Sequence, residues 1–144
     1  MKNRKGSLIL ESALSIFLLL VCISLSVNVV IYQMKILKKE KTYETMSMAL
    51  ISVESEIKNN VTFKELNNIF EYKKIVEINY DDLFLEDLLK NDLFDLEKKV
   101  SENHCLKISL IYKDDDEIKI NTMIKYEDYV LEEDMIKTRW MDEI

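Results

Sequence analysis

Little in this sequence is equipped for covalent chemistry. The single histidine, His104, has no acid or nucleophile at a recognisable spacing, and a glycine-lined phosphate cradle cannot be built where Gly6 is the sole glycine. His104 reads as a loop residue ahead of a strand, and Cys105 as a small, partly buried residue at that strand's start. Asp114, Asp115, Asp116 and Glu117 carry the hard oxygens that calcium takes, but they lack the spaced ligands and the glycine of an EF-hand and read as a solvated turn. Gly6, Ser7 and Glu11 stand out by place, where a basic stretch meets an apolar run. Gly6, the sole glycine, stands directly after a basic stretch and gives the chain an unhindered backbone there that extends easily. Glu11 stands at the edge of an apolar run, where an ionised carboxylate costs on the order of 3 kcal/mol unless it is paired.

The elements that must position these residues follow from the charge pattern. Residues 1–6 hold Lys2, Arg4 and Lys5, and residues 12–34 contain no charged side chain. At the helical rise of 1.5 Å per residue, those 23 residues make about 34 Å, enough to cross a hydrocarbon core of roughly 30 Å. The run is too long for the apolar part of a cleaved secretory signal, and its small residues Ser24 and Ser26 lie inside it. Val21 before Cys22 argues against a lipoprotein signal. A transmembrane helix is therefore expected over residues 12–34.

Beyond a charged neck at residues 35–41, Tyr43, Met46, Leu50, Val53 and Ile57 recur at steps of three and four, one apolar stripe on an otherwise polar helix. Neither glycine nor proline occurs between Ser7 and Lys58, so a single helix over residues 7–58 is expected. Residues 59–144 mix both periodicities. Residues 82–100 have an acidic start, Leu85, Leu88, Leu89, Leu93, Leu96 and Val100 on an apolar side, and Lys98 and Lys99 at the end, which predicts a helix. Leu106, Ile108, Leu110 and Tyr112 alternate with polar residues, as do Ile118 and Ile120, which predicts a hairpin around Asp114 to Asp116. Its turn must rely on aspartate, since the chain has one glycine and no proline where average usage would give about ten and about seven. Residues 126–136 fit a third strand or a short helix.

With 144 residues and a formal charge of -7, the chain has room for one small domain and no basic patch with which to release counterions from phosphates. Direct nucleic-acid binding is not expected. Two cysteines, Cys22 and Cys105, are too few for a disulfide framework, and no intramolecular bridge is expected. No cofactor, metal or catalytic residue is expected either, and the chain reads as a non-enzyme.

The segment Lys5-Gly6-Ser7-Leu8-Ile9-Leu10-Glu11, followed at once by the apolar run, resembles the class III signal of type IV prepilins and pseudopilins. The resemblance covers residues 2–32 and is architectural beyond them. It implies that a membrane prepilin peptidase cuts between Gly6 and Ser7 and methylates the new amino group. It also implies that Glu11, the fifth mature residue, meets the N-terminal amine of a neighbouring subunit in a filament. Two departures are Ser7 where many mature pilins begin with Phe or Met, and Asn28 where major pilins often carry a helix-loosening glycine or proline. With the absent disulfide loop and the small domain, they favour a minor pilin or pseudopilin, most similar to the small competence-pilus pseudopilins of Gram-positive bacteria.

The fold expected is therefore α+β and pilin-like: a leader at 1–6, a long helix at 7–58 whose first half spans the membrane, and a small extracytoplasmic domain at 59–144 built on an antiparallel sheet. Lysines flank the run on both sides, with Lys35, Lys38, Lys39 and Lys41 following it, so charge alone does not orient the helix. The resemblance places the N-terminus in the cytoplasm. Expected partners are other pilin subunits, a prepilin peptidase and membrane lipid. The competing reading is an unprocessed, single-pass anchor for a binding or scaffolding module. Trp140 reads equally as closing the core or as contacting another subunit.

Overall fold

The computed structural model describes residues 3–96, 101 and 103–142. Helix α1 runs over Asn3–Asn59, through Gly6 and without a break, as expected of a stretch that has no proline. The chain forms two compact units, Met1–Thr42 and Tyr43–Ile144. In the first, every residue from Leu8 to Lys41 is exposed, the apolar ones included. This is the one helix among the described residues that is long and apolar enough to cross a membrane, with a mean hydropathy of 2.7 in its apolar window.

The second unit is an α+β domain. It contains the last turns of α1, helix α2 (Phe63–Tyr72), strand β1 (Ile75–Asn79), helix α3 (Phe84–Lys90), a 3-10 turn at Leu93–Leu96, strands β2 (His104–Lys113), β3 (Glu117–Tyr126) and β4 (Tyr129–Thr138), and a closing 3-10 turn at Arg139–Asp142. The four strands form one antiparallel sheet in the order β1-β2-β3-β4. Period-two alternation decides its faces: Ile118, Ile120, Thr122 and Ile124 of β3 are buried, while the residues between them are half-exposed. The apolar stripe of α1 belongs to the same core, with Met46, Ala49, Leu50, Val53 and Ile57 no more than 3% exposed. Each of these side chains other than Ala49 contributes about 2 kcal/mol through water release. Tyr43, at the head of the stripe, stays at the surface and meets Tyr129 edge-to-face at 5.4 Å.

The hairpin predicted around Asp114 to Asp116 is present as β2 and β3, and the undecided segment at 126–136 is strand β4. The connection between β3 and β4 has only Glu127 and Asp128 between the paired Tyr126 and Tyr129. A two-residue hairpin turn asks for positive φ at its first position, and without glycine that place falls to Glu127, at φ 54°.

The single helix predicted over residues 82–100 is replaced by two short pieces. Asp81 holds the Leu83 N–H on its carboxylate at 3.0 Å and delays the start of α3 to Phe84. Asn91 ends it, because its backbone turns extended (φ -137°, ψ 155°) while its N–H and side-chain amide both bond Asp87 O. Leu88, Leu93 and Leu96 still reach the core, whereas Leu89 is 88% exposed; Lys98, Lys99 and Val100 lie outside the described residues.

One polar node joins the elements. Lys137 is 1% exposed, and its Nζ donates to Lys58 O at 2.7 Å and meets Asp142 Oδ1 at 2.8 Å. Asp142 Oδ2 in turn accepts the Phe63 N–H at 2.6 Å. A cation thus satisfies a carbonyl at the C-terminal end of α1, and an anion satisfies an amide at the start of α2. Thr62 and Glu65 complete that start as a capping box, Glu65 N–H to Thr62 Oγ1 at 3.2 Å and Thr62 N–H to Glu65 Oε2 at 2.9 Å. Burial alone would raise the Asp142 carboxyl, but the bonds from Lys137 and Phe63 and the Lys137 charge outweigh it and hold it below the usual carboxylate range.

In a fragment of residues 35–144, Asp142→Asn should cost about 3 kcal/mol in denaturant unfolding, because it leaves a buried ammonium without its counter-ion. Lys137→Met should cost about 1 kcal/mol and should abolish most of the penalty when combined with Asp142→Asn. Equal penalties for Asp142→Asn in both backgrounds would show that the pair is not coupled.

The same fragment should have a flat stability plateau with edges set by identifiable groups. Asp142, Asp134 (bonded by Asn121 and Lys119) and Glu65 (bonded by Thr62) are all shifted down, so their contribution is full above the unfolded carboxylate range and is lost as pH falls below about 4. Tyr80 is pushed up to about 12, first by burial and then by Tyr126 and Asp82. Its contribution is therefore lost as pH rises from about 10 toward 12. Melting temperature measured from pH 2 to 12 should fall at both edges, and a fragment as stable at pH 3 as at pH 7 would contradict the first assignment.

Candidate processing and assembly site

Gly6, Ser7 and Glu11 lie on the first turns of α1. Met1 and Lys2 are outside the described residues, but the helix starts at Asn3 and takes in both Gly6 and Ser7, so the leader and the long helix are not separated in backbone conformation. This differs from the extended backbone expected at a scissile bond. The reason is local: nothing at residues 3–11 forbids a helix, and a lone glycine there costs only about 1 kcal/mol.

That turn is nevertheless the weakest part of α1. The first four N–H groups of any helix lack intrahelical partners, the first turn of α1 contains no acidic residue, and Arg4 and Lys5 place positive charge at the positive end of the helix dipole. The Gly6–Ser7 bond thus sits at the end of α1 that has the fewest backbone hydrogen bonds to lose.

Glu11 is exposed, at the start of the apolar stretch. Its backbone carbonyl accepts the Ser15 hydroxyl at 2.9 Å, but its carboxylate has no partner among the described residues. Ser12 and Ser26 likewise turn their hydroxyls back onto carbonyls of their own helix, Ile9 O at 3.0 Å and Cys22 O at 2.9 Å. The apolar stretch therefore satisfies these hydroxyls by itself.

The other residues singled out by type have structural places. His104 is the first residue of β2, not a loop residue, and stacks on Tyr126 at 4.6 Å between ring centroids. Cys105, expected to be partly buried, is 2% exposed. Asp114 bonds the Asp115 N–H at 2.8 Å and the Tyr112 hydroxyl at 3.1 Å, and its own N–H donates to Glu117 O at 2.8 Å, so these acids organise the β2–β3 turn. Trp140 is 58% exposed and does not close the core.

Two features escaped the reading of the sequence: the Thr62–Glu65 capping box and the Lys137–Asp142 pair. The first carries the signature of threonine followed three residues later by glutamate. The second was signalled more faintly, by a lysine two residues after Met135 on a strand, hence on the same inward face.

No family model, no curated protein and no solved structure matches the chain.

Proposed function

We propose that this chain is a minor pilin or pseudopilin, a structural subunit of a type IV pilus, competence pilus or related secretion filament. It is made as a prepilin, cut between Gly6 and Ser7 by a prepilin peptidase, and held in the cell membrane by residues 12–34. Its N-terminus lies in the cytoplasm and its α+β domain on the other side. Its partners are other pilin subunits, the peptidase and membrane lipid, and nucleic acid is not among its direct ligands.

The observation that carries this reading is the carboxylate of Glu11, without a partner among the described residues, five residues beyond Gly6 and at the edge of a stretch with no other charge. Such a carboxylate is costly in lipid unless a cation meets it. Cleavage after Gly6 creates that cation, the Ser7 amine, about 6 Å along the helix from Glu11, so a neighbouring subunit shifted axially by that much brings the two together. The alternative, an unprocessed anchor, has one observation on its side: α1 continues through the Gly6–Ser7 bond. The two readings differ in the mass of the mature protein.

Protein extracted from its native membrane should begin at an N-methylated Ser7 by mass spectrometry, and Gly6→Leu should retain the leader in at least nine-tenths of molecules. Wild-type protein that still begins at Met1 or Lys2 would overturn the reading.

Glu11→Leu separates anchoring from assembly. Membrane insertion should be unchanged or slightly easier, since a cost of about 3 kcal/mol disappears, and cleavage should continue. Recovery of the subunit in sheared filaments should drop at least tenfold. Insertion, cleavage and filament recovery all at wild-type level would show that Glu11 has no part in assembly.

A further inference from the structure

Asn28 is the one carboxamide well inside the uncharged run of α1, six residues, or about 9 Å of helix, before its end at Met34. It is exposed and has no hydrogen-bond partner among the described residues. A serine in such a helix returns its hydroxyl to the preceding turn, as Ser15 and Ser26 do. A carboxamide has two N–H donors and an acceptor oxygen, too many for that solution, and the side chain is too short to reach the headgroups. Ser24, four residues earlier and about 40° around the helix, lies on the same face and also has no hydrogen-bond partner among the described residues.

We infer that the Asn28 face of α1 is a helix–helix contact, and that its occupant in the membrane is a second copy of this chain lying parallel to the first. The inference rests on the membrane reading given under the proposed function, but not on cleavage. A carboxamide complements itself, since the N–H of one donates to the oxygen of the other. Copies inserted in one direction bring their Asn28 residues to equal depth, so a two-fold pair forms both bonds without any further partner. Val21 and Ser24 lie within about 40° of Asn28, and the small Ser24 lets the backbones approach. Glu11 lies about 100° away, so pairing neither buries nor juxtaposes the two carboxylates, and each remains free for an amine.

The full-length chain in phosphatidylcholine vesicles provides the test, with fluorophore-labelled copies and energy transfer measured as lipid dilutes the protein. Asn28→Leu should weaken association by about 3- to 30-fold, and Asn28→Gln should retain most of it. Cysteine oxidation reads the face independently. Native Cys22 lies about 120° from Asn28 and should cross-link poorly, whereas Ser24→Cys or Val21→Cys in a Cys22→Ser background should give dimers readily. Resistance of every variant to alkaline carbonate confirms insertion. An inserted chain that associates equally well with Asn28→Leu, cross-links best at Cys22, or remains monomeric overturns this inference and leaves the pilin reading standing. A chain that carbonate extracts overturns the membrane reading itself.

Discussion

The domain depends on one buried surface, the stripe of α1 from Met46 to Ile57, which shares its core with the inward faces of β2 and β3. Because the stripe repeats every three or four residues and the strands every two, each element has one apolar side and one side fit for water. The outer face of the sheet shows the complement. Lys107 meets Glu77 at 2.6 Å and Lys119 meets Asp134 at 2.9 Å, cross-strand pairs that keep the register without apolar cover. The same helix has no buried side chain from Leu8 to Lys41, so along that length its apolar surface must be met by other molecules.

Much of the domain was legible because it follows period alone. The α1 stripe and the β2–β3 hairpin read directly from spacing, and the aspartates at the hairpin tip do the work that glycine does elsewhere. Period failed where local hydrogen bonds overrode it. The leucines at 85, 88, 89, 93 and 96 have helical spacing, but Asn91 takes an extended backbone and bonds back to Asp87, so the chain turns after seven residues and Leu89 is left outside. Such competition between side chain and backbone leaves the hydrophobic pattern intact and is invisible to it. Lys137 was missed for a different reason: its burial depends on partners 79 and five residues away, and no local window joins them.

At the N-terminus the sequence was informative in chemistry more than in conformation. Glu11 stood out as a charge at the edge of an apolar run, and its carboxylate has no partner among the described residues. Gly6 suggested an open backbone and is helical instead. The two observations are compatible, since a helix end that lacks acidic residues and carries cations unwinds at small cost. What distinguishes a processed subunit from an anchor is therefore a chemical event at this bond, and neither spacing nor backbone geometry records it.

The distance along the chain between the two halves of the polar node has a kinetic meaning. Lys58 bonds Lys137, and Phe63 bonds Asp142, each across 79 residues. During synthesis the α1 stripe is made first, and β3 and β4 follow only after sixty or more residues. Met46, Leu50, Val53 and Ile57 spend that interval without their sheet. Contacts of this separation close slowly, and a bare apolar stripe is an attractive surface for any neighbour at the same stage. The charged neck of Lys35, Lys38, Lys39 and Lys41 stands directly before that stripe, where its ammonium groups keep the adjoining segment hydrated.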